Sequence, residues 1–433
     1  MMISKKNIFD LLWTTTPQVM GFVAGFISSI LLARGLGVSS LGYFALLSGF
    51  YGLVSGISDL GVGQVAIRFS SLYKSEGRVE LQYKVLRWAF RARLSLALLF
   101  SVIAALMIPV LFDHVWSAPD LKKLALISLL IGLFQAFSTI PNVYFQSEQK
   151  FKVNALITSG QSVINLCGVA FLAIFSYWSL QNVILISVCS TFVGACIFLF
   201  IIPNKTLWNG WEEYSNFKDC LLPPEGPVVE EGKQKSSQFA LHLLIASIVV
   251  TLTTRADIML MGAFLGPDQM GLYNVATRFT LPLMFGLGAL NTALWPKASA
   301  ITDKADLKLM FGKLWRLTGL VCIVGLLYSI FAPIAAPYIF GDEYVPAVLM
   351  AQFLCIRYCF AIMTCPIGIV GYSLGLSNFY WKVNIVQFVV VLIVNIVLLP
   401  RIGVMASVIG LMLNELISGG LIFARVISSM KKD

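Results

Sequence analysis

The sequence predicts an all-α integral membrane protein, because charged residues are scarce and apolar residues come in long runs. The chain has 433 residues, of which 58% are hydrophobic and only 12% are charged, and its mean hydropathy is +0.84. Soluble globular proteins carry about 25% charged residues. Residues 153–204 contain no Asp, Glu, Lys or Arg. The composition therefore excludes a soluble enzyme, a secreted domain and a nucleic-acid-binding protein.

Apolar stretches separated by charged or turn-forming residues predict twelve transmembrane helices. Most are long enough to cross a hydrocarbon core of about 30 Å as a helix. They are too long and too continuous for the strands of a membrane β-barrel, which need about ten alternating residues each. The predicted spans are residues 11–33, 41–67, 94–112, 124–146, 155–177, 183–202, 240–262, 271–295, 317–340, 347–371, 383–399 and 404–427.

The distribution of Lys and Arg predicts the orientation of these helices, since cytoplasmic loops carry most of the positive charge. With the N-terminus inside, most of the 31 Lys and Arg residues fall in inner segments, and both termini are therefore expected in the cytoplasm. A basic amphipathic segment, residues 72–93, is expected to lie along the anionic inner leaflet. The outer loops hold only Arg34, Lys122, Lys123 and Arg401.

The two halves of the chain look like repeats of one unit, which is common in transporters. A shift of 229 residues aligns the ends of the first and seventh spans. The aligned residues include Leu36 with Leu265, Gly37 with Gly266, and Gly42 with Gly271. Because each half has an even number of spans, the repeats are parallel. We therefore expect two six-helix bundles around a central cleft, residues 1–202 and 240–433, joined by a cytoplasmic linker, residues 203–239.

Six ionisable residues lie well inside predicted spans, where a charge costs roughly 2.5–3.5 kcal/mol on insertion scales. If the three arginines among them face the cleft, they make it cationic and suited to a phosphate or pyrophosphate, which Arg can bind with two hydrogen bonds. The alternative is that they pair with the three acids, which are also candidates for ion coupling, and lock helices together. The arginines are Arg255, Arg278 and Arg357, and the acids are Asp59, Asp257 and Glu415.

The sequence contains no recognisable catalytic or cofactor-binding motif. It has no nucleotide-binding Gly-Lys-Ser/Thr loop, no Asp-x-Asp pair for a metal-bound sugar nucleotide, and no His cluster. The sequence thus predicts neither an enzyme nor a bound cofactor or metal. A transporter of this kind needs an external driving force, and moving one charge across the membrane supplies about 2.3 kcal/mol per 100 mV.

Stretches where the first span meets the second, and where the seventh meets the eighth, carry a resemblance to a known family. They read Leu-Ala-Arg-Gly-Leu-Gly at 32–37, Gly-Tyr-Phe at 42–44, Arg-Ala-Asp-Ile-Met-Leu at 255–260 and Gly-Leu-Tyr-Asn-Val-Ala-Thr-Arg at 271–278. With its twelve predicted helices in two halves, the chain resembles the bacterial O-antigen and polysaccharide flippases of the multidrug/oligosaccharidyl-lipid/polysaccharide exporter superfamily. The resemblance covers nearly the whole chain, and its loose motifs identify the superfamily better than the cargo.

The resemblance implies a flippase that moves an undecaprenyl-diphosphate-linked oligosaccharide from the cytoplasmic to the periplasmic face of the bacterial inner membrane. It also implies alternating access, a cationic cleft and coupling to a proton or sodium gradient. The positions of Arg255 and Arg278 agree with such a cleft. Membrane lipid, a polysaccharide polymerase and the chain-length machinery are the implied partners, whereas nucleic acid is not.

Two other functions stay open. A drug/cation antiporter of the same superfamily would need an acidic binding lobe, whereas Asp59 is the only ionisable residue well inside the first-half spans. A membrane-embedded glycosyltransferase or polymerase belongs to a different class, and the short outer loops and the missing metal motif argue against it. Efflux of cationic dyes would favour the antiporter, and incorporation of labelled sugar would favour the transferase.

Overall fold

The computed structural model describes residues 5–148, 150–202, 233–288, 304–373 and 376–431. In these ranges the chain is helical, with short turns between the helices and without β-strands. Short helices of other types are the π-helix Leu111–Val115 and the 3₁₀ helices Pro119–Leu121 and Asp342–Ala347. The α-helices are α1 Lys5–Ile57, α2 Val62–Ser75, α3 Val79–Val110, α4 Lys122–Ser147, α5 Phe151–Phe175, α6 Leu180–Ile201, α7 Lys233–Phe264, α8 Pro267–Phe279, α9 Lys304–Phe340, α10 Val348–Ser373, α11 Ser377–Ile402 and α12 Met405–Lys431.

Ten helical segments among the described residues are long and apolar enough to cross a membrane. One of them, Val19–Ile57, contains most of the first two predicted spans. It is divided at Gly37, whose φ of 73° and ψ of 171° interrupt the helix, a backbone that glycine adopts without strain. The predicted span 271–295 runs past residue 288 and so lies partly outside the described ranges. The all-α membrane class is confirmed, and the helices are consistent with twelve spans.

The second predicted span, by contrast, is broken near its C-terminal end. The helix α1 ends at Ile57 and α2 begins at Val62. Between them Leu60 and Gly61 adopt left-handed φ values of 44° and 72°. The Val62 amide donates to the carbonyl of Asp59 at 2.8 Å, so the turn keeps its own hydrogen bond. Hydropathy does not predict this break, because apolar residues continue on both sides of it.

The basic segment 72–93 differs from its predicted place at the membrane surface. Its second half is the beginning of α3, where Trp88 and Phe90 are each 3% exposed. Both belong to an apolar core that also contains Tyr144 of α4. The expectation is wrong for this half of the segment, because burying large aromatic side chains against neighbouring helices contributes roughly 25 cal/mol per Å² of apolar area.

The described residues form two compact units. Unit 1 is bounded as Met1–Gly25 with Leu47–Thr251, and unit 2 as Phe26–Leu46 with Leu252–Asp433. A segment of α1 therefore belongs to the unit that contains the second repeat. The predicted division at residues 202 and 240 stays a prediction, since residues 203–232 lie outside the described part of the chain.

The core of unit 2 is built around aromatic residues and the packing of α10. Tyr344, Phe279 and Phe340 are fully buried, and Tyr328 stacks on Phe279 with ring centroids 4.6 Å apart. The helix α10 packs against both α9 and α12. This arrangement brings polar side chains of α10 and α12 together inside a membrane-spanning unit.

Candidate functional site

Two opposite charges face each other between α10 and α12. Arg357 Nη2 lies 3.6 Å from Glu415 Oε2, and the two side chains are only 19% and 15% exposed. The hydroxyl oxygen of Thr364 lies 3.5 Å from Glu415 Oε1 and closer, at 3.1 Å, to the Phe360 carbonyl of its own helix. Gly419 allows the helices to approach here, because a Cβ atom at that position would lie 2.7 Å from Thr364 Cγ2. The close helix contact therefore holds Glu415 beside Arg357.

Glu415 does not satisfy all the hydrogen-bond donors of Arg357. Its distance of 3.6 Å to Glu415 exceeds the roughly 2.7–2.9 Å of a charge-assisted hydrogen bond. Its Nε is buried and has no hydrogen-bond partner among the described residues. The guanidinium carbon lies 4.8 Å from the centroid of the Tyr358 ring, which stabilises the cation without using its N–H groups. Arg357 therefore keeps donors for an oxygen ligand.

A cavity of about 290 Å³ opens beside this ion pair within unit 2. Its wall combines charged, hydroxyl and apolar groups, so it suits a ligand with both polar and apolar surface. The lining residues are Leu287, Arg357, Tyr358, Ala361, Thr364, Cys365, Ile367, Gly368, Ile369, Glu415, Ser418, Gly419 and Ile422.

A second acid is held near the same arginine. The Tyr273 hydroxyl of α8 donates to Asp257 of α7, and the Ile258 amide donates to Asp257 Oδ1 at 2.8 Å. The positive charges of Arg255 and Arg357 both act on the Asp257 carboxylate. Arg357 thus interacts electrostatically with acids on two helices, although local sequence spacing relates it to neither of them.

The other two predicted arginines of unit 2 lie outside the cavity wall. The side chain of Arg255 is exposed, whereas Arg278 is half-buried in the last turn of α8. Neither lines the cavity beside Arg357. The structure therefore pairs one predicted arginine, Arg357, with the predicted acid Glu415. Asp257, in turn, interacts electrostatically with both Arg255 and Arg357. A single cationic cleft formed by all three arginines stays a prediction.

Asp59 belongs to a separate pair in unit 1. Arg93 Nε lies 3.5 Å from Asp59 Oδ1, and the arginine side chain is 5% exposed. Arg93 Nη1 also donates to the Ser55 carbonyl at 3.1 Å and to Ser58 Oγ at 3.0 Å. The cation therefore binds the end of α1 and the acid of the following turn. The sequence does not predict this contact, because Arg93 ends a basic amphipathic segment that is typical of a membrane surface.

A further ionic network lies outside the spans of unit 1, around Glu148. Gln82 Nε2 donates to Glu148 Oε1 at 2.8 Å, and Lys74 Nζ lies 3.2 Å from Oε2. Lys150 Nζ is 3.9 Å from the same oxygen. Burial alone would raise the pKa of Glu148, but the hydrogen bonds from Gln82 and Lys74 and the two lysine charges outweigh it, so the pKa lies below its ordinary value. Glu148 thereby joins the α2–α3 and α4–α5 turns.

Comparison with known proteins places the chain in a family. Residues 8–302 match the family described as polysaccharide biosynthesis protein. A Shigella flexneri protein named "Putative O-antigen transporter" is 22% identical over 353 residues, which cover 76% of this chain and 75% of that protein.

Solved structures share the fold at low sequence identity. The lipid II flippase MurJ in an inward closed conformation has a TM-score of 0.73 and 15% identity, covering 96% of this chain and 88% of that one. An inward-facing multidrug resistance MATE family transporter of the MOP superfamily has a TM-score of 0.69 and 12% identity, covering 98% and 99%. These likenesses establish the fold. Because the family match spans more than half of the chain, this multi-pass membrane protein belongs to the polysaccharide biosynthesis protein family.

Proposed function

We propose that this protein is a flippase for undecaprenyl-diphosphate-linked O-antigen or polysaccharide repeat units. It would move them from the cytoplasmic to the periplasmic face of the bacterial inner membrane by alternating access. The family, the name of the Shigella relative and the MurJ-like fold support a lipid-linked polysaccharide as cargo. The observation that carries the proposal is Arg357, an incompletely satisfied cation beside a cavity in a membrane unit.

In this proposal a diphosphate oxygen replaces Glu415 as the partner of Arg357. A guanidinium has five N–H donors and binds phosphate through two of them at once. The cavity of about 290 Å³ is near the lower end of small-ligand sites, which measure about 300–1,000 Å³. It would therefore take the diphosphate or one sugar, and the rest of the cargo would lie outside it.

The remaining charged residues have supporting roles in this proposal. Arg255 and Arg278 add positive charge that attracts the diphosphate, as expected for a cationic cleft. Asp257 and Glu415 compete with the cargo for Arg357, so binding of a proton or a cation to these acids would free the arginine. This competition gives coupling to an ion gradient a chemical basis. Asp59, paired with Arg93, is the corresponding charge partner in unit 1.

The proposal includes the setting of the protein in the cell. Both termini lie in the cytoplasm, as the distribution of Lys and Arg predicts. The protein moves its cargo without changing it chemically, so it is not an enzyme. A polysaccharide polymerase and the chain-length machinery would then receive the repeat units on the periplasmic side.

A multidrug/cation antiporter is a second candidate. The likeness to a MATE transporter fold and the acids Asp257 and Glu415 near Arg357 favour it. A cationic drug would bind to a carboxylate and would be repelled by Arg357. The two functions therefore need cargo-binding residues of opposite charge. Glu415→Gln would abolish dye efflux, whereas Arg357→Ala would abolish polysaccharide export.

Surface polysaccharide in a host that lacks its own O-antigen flippase tests the proposal. The wild-type chain should restore it, and Arg357→Ala should lower it at least about tenfold, since a hydrogen bond to a charged group contributes about 1.5–3 kcal/mol. Arg357→Lys should retain part of the activity because it keeps the charge and loses the two-pronged geometry. Arg401→Gln, an exposed arginine in the last turn of α11, is the matched control. Undiminished polysaccharide in Arg357→Ala, at equal amounts of membrane protein, refutes the site.

A further inference from the structure

The first turns of two helical segments cross in unit 2, with a glycine of each at the crossing. After the interruption at Gly37, α1 continues from Val38, and α8 begins at Pro267. A Cβ atom built on Gly42 would overlap the carbonyl of Pro267, and one built on Gly271 would overlap the carbonyl of Val38. Because no side chain fits at either glycine, the two backbones touch directly.

This crossing is reciprocal with respect to the sequence repeat. The shift of 229 residues that relates the two halves takes Gly42 to Gly271 and Val38 to Pro267. Each glycine therefore receives the carbonyl group of the equivalent residue in the other repeat. An accidental contact would not join equivalent positions in both directions, whereas a self-complementary interface does.

A hydrogen bond beside the crossing also joins two residues that are equivalent in the repeat. Ser39 and Asp268 are 229 residues apart, and the Ser39 hydroxyl donates to the Asp268 carboxylate. Asp268 lies in the first turn of α8, where the positive end of the helix dipole favours an anion. Ser39 lies in the first turn after Gly37, so the carboxylate offsets the positive ends of both helical segments. Both residues are exposed.

Further hydrogen bonds hold α1 against the end of α9. Arg34 donates from Nε to the Ile339 carbonyl at 2.9 Å and from Nη2 to the Tyr338 carbonyl at 2.5 Å. This guanidinium caps the last turn of α9, where backbone carbonyls lack helical partners. The Tyr344 hydroxyl donates to the Ala33 carbonyl at 2.9 Å. We call the whole contact the outer seam, formed by residues 33–42, 267–271 and 338–344.

We infer, resting on the proposed export function, that the outer seam closes the outer side of the protein and must part before cargo leaves. Its residues lie at the outer ends of the spans in the predicted topology. The hydrogen bonds of Arg34 and Ser39 are exposed, so water can replace them when the seam opens. Glycines at the crossing leave no interlocked side chains to separate. Because the contact is reciprocal, a bulky side chain at Gly42 or at Gly271 should disturb it alike.

Cross-linking Ser39→Cys with Asp268→Cys tests the seam. The pair is placed in the full chain after all eight native cysteines have been replaced. Oxidation should form the disulfide and lower newly made surface polysaccharide at least about tenfold, which corresponds to roughly 1.4 kcal/mol in a barrier, and reduction should restore it. Failure to cross-link overturns the inference, as does undiminished export after complete cross-linking.

Asp113→Cys with Lys122→Cys is the matched control. Lys122 Nζ lies 2.8 Å from Asp113 Oδ1, and the predicted topology puts both residues on the outer side. Both belong to unit 1 and are joined by a short turn, so opening of the outer seam does not separate them. This cross-linked pair should export as well as its reduced form. Equal inhibition by both cross-links would mean that the seam has no special role, and would overturn the inference.

Labelling at position 270 provides a measurement that does not depend on the cargo. Met270 is 2% exposed and precedes Gly271 at the crossing, so Met270→Cys should react with a membrane-impermeant maleimide only when the seam opens. Mass spectrometry then compares labelling at this position before and after the 39–268 cross-link. Labelling that is lost on cross-linking supports the seam even if the protein exports no polysaccharide. Labelling that the cross-link leaves unchanged overturns it.

Discussion

Replacing Arg93 should destabilise unit 1 more than any surface charge substitution. The side chain is 5% exposed and contacts Asp59, which is 28% exposed. It also donates to the Ser55 carbonyl and to Ser58 Oγ at 3.1 and 3.0 Å. Arg93→Met keeps much of the apolar stem and removes all three polar contacts at once. The carboxylate of Asp59 then stays at the helix break without its cation.

The loss in free energy of unfolding expected for Arg93→Met depends on how far Asp59 is shielded from water. Removing one partner of a fully buried ion pair costs about 3–5 kcal/mol. Asp59 retains 28% exposure, so partial solvation of the carboxylate reduces this to about 2–3 kcal/mol. Asp59→Asn alone should cost less, because Arg93 keeps its bonds to Ser55 and Ser58. The double variant should recover about 1–2 kcal/mol relative to the sum of the single losses.

Unfolding of the purified protein in mixed micelles, followed by tryptophan fluorescence, measures these differences. Lys122→Met is the matched control, since the Lys122–Asp113 pair has side chains 39% and 33% exposed and surface pairs contribute about 0–1 kcal/mol. A loss below about 0.5 kcal/mol for Arg93→Met, or strict additivity in the double variant, would refute the reasoning.

The remaining predictions concern the turn after α1 and the Glu148 network. Gly61→Ala should lower the free energy of unfolding by about 1 kcal/mol, because its φ of 72° penalises a Cβ atom. Gly25→Ala, in open space within α1, should instead be neutral or stabilising by up to about 1 kcal/mol in the same titration. Because the folded-state pKa of Glu148 lies below its ordinary 4.5, the network stabilises the fold above that pH and loses its effect as the pH falls through the lowered pKa. Unfolding measured across this range should be less pH-dependent in Glu148→Gln, and an unchanged slope would contradict the assigned contacts.

Local sequence features predicted the helical class and several helix ends, but not the ionic contacts. Long apolar runs report directly on bilayer crossing, and Gly37 marked a boundary because glycine tolerates the φ required there. Hydropathy did not predict the break around Leu60, because an apolar residue has the same hydropathy value in a helix and in a turn. The pairing of Arg357 with Glu415 depends on how α10 packs against α12, which spacing along one helix does not encode.

The sequence repeat anticipated more of unit 2 than its charges did. The aligned glycines Gly42 and Gly271 turned out to touch the opposite repeat in equivalent ways. The alignment identifies equivalent positions, and the structure adds that they meet. The arginines predicted less of the structure, because a cation inside a span indicates either a charged partner or a cavity and does not distinguish between them. For Arg357 the structure shows both, an acid at 3.6 Å and a cavity beside it.

The most direct test of the central claim is transport in vesicles. Purified protein is reconstituted with a fluorescent undecaprenyl-diphosphate oligosaccharide in the inner leaflet, an ion gradient is applied, and the fraction accessible to an external quencher is followed. The wild-type chain and Arg401→Gln should move the lipid outward, and Arg357→Ala should be slower by about tenfold or more. Lipid that stays in the inner leaflet with the wild-type chain, while a cationic dye is expelled from the same vesicles, would contradict the account.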